Sequence, residues 1–307
     1  MGTVHPLAAR GEAITIGAAA AAYLTALDHP ESAGTRRVYG STLRAFLARF
    51  GDGTPLGELA AGDVTTWFSA TWSARAPATW NRNRDALRGF LAYCEERSWA
   101  SGAGELARGV RRRRRAPDRS RALPRAGVEQ LLAREDIALR ERVLWRMLYE
   151  TAARSAEVLR LDAGDLDLPN RKAKVRRKGG AIDTIVWQTG TARLLPRLLK
   201  GRTTGPLFLT GRRARVELPP GDIDPATGRA RLSYRQAEQM FKDATGGATL
   251  HQLRHSALTH DAEDGASTPM LMAKSGHTSV TSLARYARPS AEALAHWQAQ
   301  RDPARRR

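Results

Sequence analysis

Five consecutive arginines, Arg111 to Arg115, lie in a stretch from Ser101 to Pro124 where glycines and Pro117 erase any apolar periodicity. Such a stretch reads as an interdomain linker with a core on each side of it, its arginine run either a solvated segment or a basic connector that contacts phosphates. With 307 residues the chain has the length for two cores. The expected organisation is a helical first domain over 12–105, a basic linker over 106–123, a second domain over 124–300 and a basic tail over 301–307.

Before the break the pattern is helical throughout. Val38, Leu43, Phe46, Leu47 and Phe50 recur at threes and fours, and interruptions at Asp28 to Gly34, Gly51 to Gly57 and Ala74 to Pro77 predict about four helices from Ile14 to Ser98. The last sets Arg82, Arg84 and Arg88 beside Leu87, Phe90 and Leu91, an apolar face opposite a basic one.

After the break the pattern is mixed. Helices are expected around Gly127 to Arg134 and Ile137 to Thr151. A short antiparallel sheet follows from Asp165 to Leu168, Lys172 to Lys178 and Ala181 to Gln188, turning at Pro169-Asn170 and Gly179-Gly180. Gly211 to Arg231 reads as a loop and Ser233 as the start of another helix, with helices dominating to the end.

Lysine and arginine number 50 against 31 acidic residues, a formal charge of +19. That balance favours a polyanionic partner, nucleic acid first, although an arginine-rich proteome would also raise it. The single cysteine, Cys94, excludes an internal disulfide framework and a Cys-rich zinc site, and fits a reducing compartment such as the cytoplasm. No stretch approaches the roughly 20 apolar residues of a membrane span, so no membrane partner is expected.

Four segments carry chemistry-bearing residues. In Thr151-Ala-Ala-Arg-Ser-Ala-Glu157, Arg154 stands at a helix start with Ser155 as N-cap, and by itself reads more readily as a surface arginine paired with Glu157 than as a functional one. Lys178 ends a strand at a Gly-Gly turn, crowded by Arg176 and Arg177 in a ribbon suited to phosphate. His251 and Arg254, three apart on one helix face, are placed to grip one anion, or to sit at an interface with the core. His277, in Ser275-Gly-His277, precedes Tyr286 by nine residues. Together, guanidiniums, an ammonium, imidazoles and a phenol are the parts that break a phosphodiester: charge clamps, proton donors and a nucleophile.

In the order and spacing of these residues the sequence resembles the tyrosine recombinase (phage integrase) family, whose catalytic domain carries Arg, Lys, His-x-x-Arg, a His or Trp, and Tyr. The resemblance covers about Arg121 to Trp297, and Ile14 to Ser98 looks like the family's core-binding domain. It implies a mainly α fold with a small antiparallel β-sheet: a helical, SAM-like core-binding domain joined to a tyrosine recombinase catalytic domain. It assigns Tyr286 as nucleophile, Arg154 and Arg254 as phosphate clamps, His251 as base, Lys178 as acid, His277 as a phosphate hydrogen-bond donor, and Glu157 as support for the first arginine. Arg82, Arg84, Arg88, Arg111, Arg112, Arg113, Arg176 and Arg177 are the expected DNA-binding arginines.

It also implies no metal and no ATP, a double-stranded DNA substrate, a homotetramer on paired sites, accessory directionality or DNA-bending proteins, and a mobile-element role. Two departures stand out: Ala152-Ala153 where the family often has Thr-Gly, and Lys274-Ser275 before Gly-His. A type IB topoisomerase and a non-catalytic DNA-binding relative are the competing readings.

Overall fold

The computed structural model describes residues 14–27, 33–114, 122–177, 180–284, 294–295 and 297–299. The chain divides into two compact units, Met1–Pro117 and Asp118–Arg307.

The first unit is built from α1 (Ile16–Ala26), α2 (Ala33–Phe50), α3 (Ala61–Trp72) and α4 (Pro77–Glu96). Thr15 caps α1 by accepting from the Ala18 N–H, and Pro77 opens α4 at a position that needs no donor. The threes-and-fours spacing puts Leu43 and Phe46 of α2, Phe68 of α3, and Leu87, Phe90 and Leu91 of α4 in one core. Aromatic edges interlock there: the Phe68 and Trp80 rings meet at 89° with centroids 4.8 Å apart. Cys94 lies in the same core, and burial pushes its thiol up to about 12.

The sequence places a linker from residue 106, yet the backbone through Arg113 is fastened to this unit. Val110 is buried, the Trp80 indole donates to the Arg111 carbonyl, and the Asn81 side chain exchanges two 2.8 Å hydrogen bonds with the backbone of Arg113. Asparagine and tryptophan supply the partners that this segment lacks for want of regular structure.

The second unit runs α5 (Arg125–Ala133), α6 (Leu139–Thr151), α7 (Ser155–Leu159), β1 (Leu166–Asp167), β2 (Lys172–Arg176), β3 (Ile182–Val186), α8 (Thr189–Leu199), β4 (Leu209–Arg213), β5 (Arg229–Arg231), α9 (Tyr234–Thr245), α10 (Leu250–Glu263), α11 (Thr268–Ser275) and α12 (Val280–Leu283). Helix α6 is central, and Val143, Leu144, Trp145, Met147 and Leu148 are all buried. Trp145 meets Phe241 of α9 edge-on at 5.3 Å.

Strands β1, β2 and β3 form an antiparallel sheet in that order, with Ala173 opposite Ile185 and Val175 opposite Asp183. Alternation buries Ala173, Val175 and Ile185 and turns Lys172, Lys174 and Arg176 outward.

The expected loop at 211–231 contains most of a small hairpin, β4 paired with β5. It is pinned by Arg231, whose guanidinium donates to Asp222, Asp162 and the carbonyls of Leu159 and Leu161. Near the chain end, Trp297 comes within 3.5 Å of where a Cβ on Gly265 would stand. Among the described residues no helix is long and apolar enough to cross a membrane.

Candidate active site

Helix α6 ends at Ala152, which adopts φ 48° and ψ 23° and turns the chain into α7. The cap of α7 is Arg154 itself, with Ser155 one position inside, so the expected Ser155 cap is displaced by one residue. The Arg154 backbone N–H donates to Glu157 Oε2 at 3.0 Å and its guanidinium to Oε1 at 2.8 Å. One carboxylate thus fixes both ends of Arg154. The two members differ in exposure: the Arg154 side chain is 38% exposed and that of Glu157 only 5%.

Thr249 caps α10 by accepting from the Gln252 N–H. Leu250, Leu253, Ala257 and Leu258 face the core. His251 is exposed on the first turn, and Arg254, one turn on, is buried. The Arg254 guanidinium donates to the Ala152 carbonyl at 2.5 Å and the Ser275 carbonyl at 2.9 Å. It therefore ties the α6–α7 turn to the end of α11, and its planar fork allows both bonds at once.

Helix α11 closes at Gly276 in the left-handed region, φ 65°, its N–H returning to Met272 O. The Ser275 hydroxyl lies 2.6 Å from His277 Nδ1. Ser275 is thus the meeting point of Arg254 and His277, and sequence reading noted it only as a departure. Lys274, the other departure, pairs with Asp261 of α10 at 2.7 Å.

Arg177 overturns an expectation. The strand alternation that buries Ala173 and Val175 carries on to Arg177, which is 7% exposed. Its guanidinium binds Glu157 Oε2 at 2.6 Å and Asp183 Oδ2 at 3.0 Å, so it faces inward and not toward a phosphate. The period-2 pattern Ala173, Val175, Arg177 was the signal available for this.

Arg84 and Arg113 are likewise engaged within the first unit. Arg84 donates to the Val110 carbonyl and Asp85, while Arg113 stacks 3.7 Å over Trp80 and donates to the Ser73 carbonyl. Arg112 pairs with Asp85 at 3.2 Å but remains exposed, as are Arg82, Arg88, Arg111 and Arg176. Lys178 and Tyr286 lie outside the described residues.

Arg154, Arg254 and His277, from separate segments, are therefore joined through Glu157, Arg177 and Ser275 in one network. A cationic cluster built on helix ends and held by carbonyls and a carboxylate suits phosphate chemistry. A family model described as the phage integrase family matches residues 121–293, more than half of the chain. The chain belongs to that family: it is a tyrosine recombinase, an enzyme that breaks and rejoins DNA.

The tyrosine recombinase XerC of Mycobacterium tuberculosis is 31% identical over 286 residues, covering 85% of this chain and 90% of that protein. XerC of a Mycobacterium species, strain KMS, is likewise 31% identical over 284 residues, with the same shares covered. Among solved structures, the Tn1549 transposon integrase in complex with circular intermediate DNA superimposes with a TM-score of 0.66 at 16% identity, covering 93% of this chain and 99% of that one. A lambda integrase tetramer bound to a Holliday junction gives 0.67 at 15% identity, covering 90% and 78%. These two share the fold.

Proposed function

We propose that the chain is a site-specific recombinase that cuts and rejoins DNA through a covalent 3′-phosphotyrosyl intermediate on Tyr286. The observation that carries this reading is the network that brings Arg154, Arg254 and His277 together. Tyr286 attacks the scissile phosphorus in line. The new phosphorus–oxygen bond forms as the bond to the 5′-oxygen breaks, and the 5′-hydroxyl leaves. A phenol with an ordinary pKa near 10 needs help to lose its proton at neutral pH, and His251 accepts it. Lys178 supplies a proton to the leaving 5′-oxygen. Arg154 and Arg254 stabilise the non-bridging oxygens as charge develops, and His277 hydrogen-bonds the same phosphate. Rejoining reverses the step with another strand's 5′-hydroxyl, so bond energy is conserved and neither ATP nor a metal takes part.

The exposed arginines Arg82, Arg88, Arg111, Arg112 and Arg176 contact the DNA backbone. The enzyme acts in the cytoplasm at the nucleoid, as a homotetramer on paired duplex sites, in integration or excision of a mobile element, with accessory proteins setting direction. The lambda integrase tetramer on a Holliday junction supports the assembly. The Tn1549 transposon integrase bound to circular intermediate DNA supports the mobile-element role.

The test is covalent trapping on nicked suicide duplexes tiled from DNA flanking the gene, in EDTA, with wild type and Tyr286→Phe. A denaturant-resistant adduct from wild type alone is expected. An adduct that survives Tyr286→Phe, or one abolished by EDTA, overturns the mechanism. Relaxation of any plasmid by monomer would move the activity to a topoisomerase.

A further inference from the structure

Arg177 is placed to act on the site without touching substrate. Its side chain is 6% exposed, and its guanidinium reaches three parts of the network: Glu157 Oε2 at 2.6 Å, Asp183 Oδ2 at 3.0 Å and the Ser275 carbonyl at 3.4 Å. A Cβ on Gly276 would stand 2.5 Å from the Arg177 Cζ, so a residue with a side chain before His277 would have to displace the ion-paired guanidinium and adopt a φ of 65° that favours glycine. The Arg177 backbone N–H closes the β2–β3 turn on the Ala181 carbonyl at 2.7 Å, one residue before Lys178.

The charges explain why a second arginine belongs here. Glu157 holds Arg154, and a carboxylate paired with one guanidinium cancels its charge, so that an incoming phosphate would meet a neutral pair. Arg177 gives the same carboxylate a second cation. Arg154, Glu157 and Arg177 together carry one net positive charge, and Arg154 is the exposed member that presents it. Asp183 sits on the far side of Arg177 with a side chain 41% exposed, where water screens it more than the buried Glu157 is screened.

We propose that Arg177 is a positioning residue: the buried counter-ion of Glu157, which lets Glu157 orient Arg154 without neutralising it and holds the base of the Lys178 hairpin against the Gly276-His277 turn. The inference rests on the reading of Arg154 as a phosphate clamp.

The experiment is single-turnover cleavage of a nicked suicide duplex at saturating protein, with DNA affinity and its salt dependence measured by gel shift and folding checked by thermal melting. The proteins are wild type, Arg177→Met, Arg177→Lys, Glu157→Gln and the Glu157→Gln/Arg177→Met double variant. Arg177→Met is expected to bind DNA within about threefold of wild type with an unchanged salt slope, and to cleave on the order of 30-fold or more slowly. Arg177→Lys should recover most of that rate, since it keeps the charge.

Removing one partner of a buried pair can unfold a protein, so the double variant, which removes both charges, keeps the inference testable. In the Glu157→Gln background the loss of Arg177 should slow cleavage by much less than in the wild-type background, because the charge it offsets is gone and only its hold on the hairpin is lost. Wild-type cleavage rates in Arg177→Met would overturn the proposal, as would multiplicative losses in the double variant. A weakened affinity with a salt slope reduced by about one would make Arg177 a phosphate contact instead. If wild type itself forms no adduct, the reading of the site beneath this proposal fails, a result distinct from wild type cleaving and Arg177→Met cleaving equally well.

Discussion

The Ser275 hydroxyl donates to the Leu271 carbonyl at 2.6 Å and lies 2.6 Å from Nδ1 of His277. This contact at Nδ1 fixes the direction of the imidazole ring. Ser275→Ala is expected to bind DNA as wild type does and to form the covalent adduct about tenfold more slowly. Single-turnover cleavage at saturating protein decides it: a wild-type rate would remove Ser275 from any part in orienting His277.

Arg254 makes two carbonyl bonds from one planar group, to Ala152 and Ser275. A lysine has a single nitrogen where Arg254 uses two, and it cannot present a planar fork to phosphate. Arg254→Lys should lower the cleavage rate by about 10²–10³-fold with DNA affinity within a few-fold of wild type, in line with the loss of one preorganised donor. Equal losses in rate and affinity would instead assign Arg254 to DNA binding.

Burial lowers the pKa of His260, and the nearby Arg125 charge adds to it, outweighing Glu263 and Asp264. Its Nδ1 lies 2.7 Å from the Tyr149 hydroxyl, inside the catalytic unit. Because the folded pKa is depressed, the folded state binds fewer protons than the unfolded chain below the ordinary histidine pKa of about 6.5. The contribution is therefore whole above that pH and lost as pH falls toward the folded value. Melting temperatures measured from pH 7.5 to 5 should fall more steeply for wild type than for His260→Gln. Matching slopes would show that His260 does not carry the dependence.

Ala152 combines a left-handed backbone with complete burial beside Ala257, Leu258, Leu271 and Leu283. Glycine there would relieve roughly 1 kcal/mol of backbone strain. It would lose about 0.8 kcal/mol of methyl burial and roughly 0.4–1 kcal/mol through the freer unfolded chain. The terms nearly cancel, so Ala152→Gly should change stability by less than about 1 kcal/mol, whereas the β-branched Ala152→Val should lose more than about 2 kcal/mol. Chemical denaturation followed by Trp fluorescence checks both. This balance accounts for an alanine at a position whose φ favours glycine.

Much of the site was legible because its signals are local or rest on motif order. The spacing of Arg154, His251, Arg254 and His277 pointed to one phosphate-handling cluster. The structure joins Arg154, Arg254 and His277 through bonds, and sets His251 on the same helix as Arg254. The partners were not legible. Arg254 reaches Ala152 across 102 residues and Arg177 reaches Ser275 across 98, distances over which sequence carries no periodic trace. Arg84 and Arg113 resemble their exposed neighbours in sequence, and only the packing of residues 110–113 on α4 turns them into internal donors.

By itself the sequence determined what depends on neighbours along the chain. Apolar spacing produced the helices of both units, alternation produced β2 and β3, capping residues such as Thr249 and Ser233 set helix starts, and charge set the kind of partner. Tertiary structure alone decided which arginines face outward and which are buried as counter-ions. A guanidinium's role is set by the carboxylates and carbonyls that surround it once the chain has packed, and an identical side chain one residue away, Arg176 beside Arg177, meets water instead.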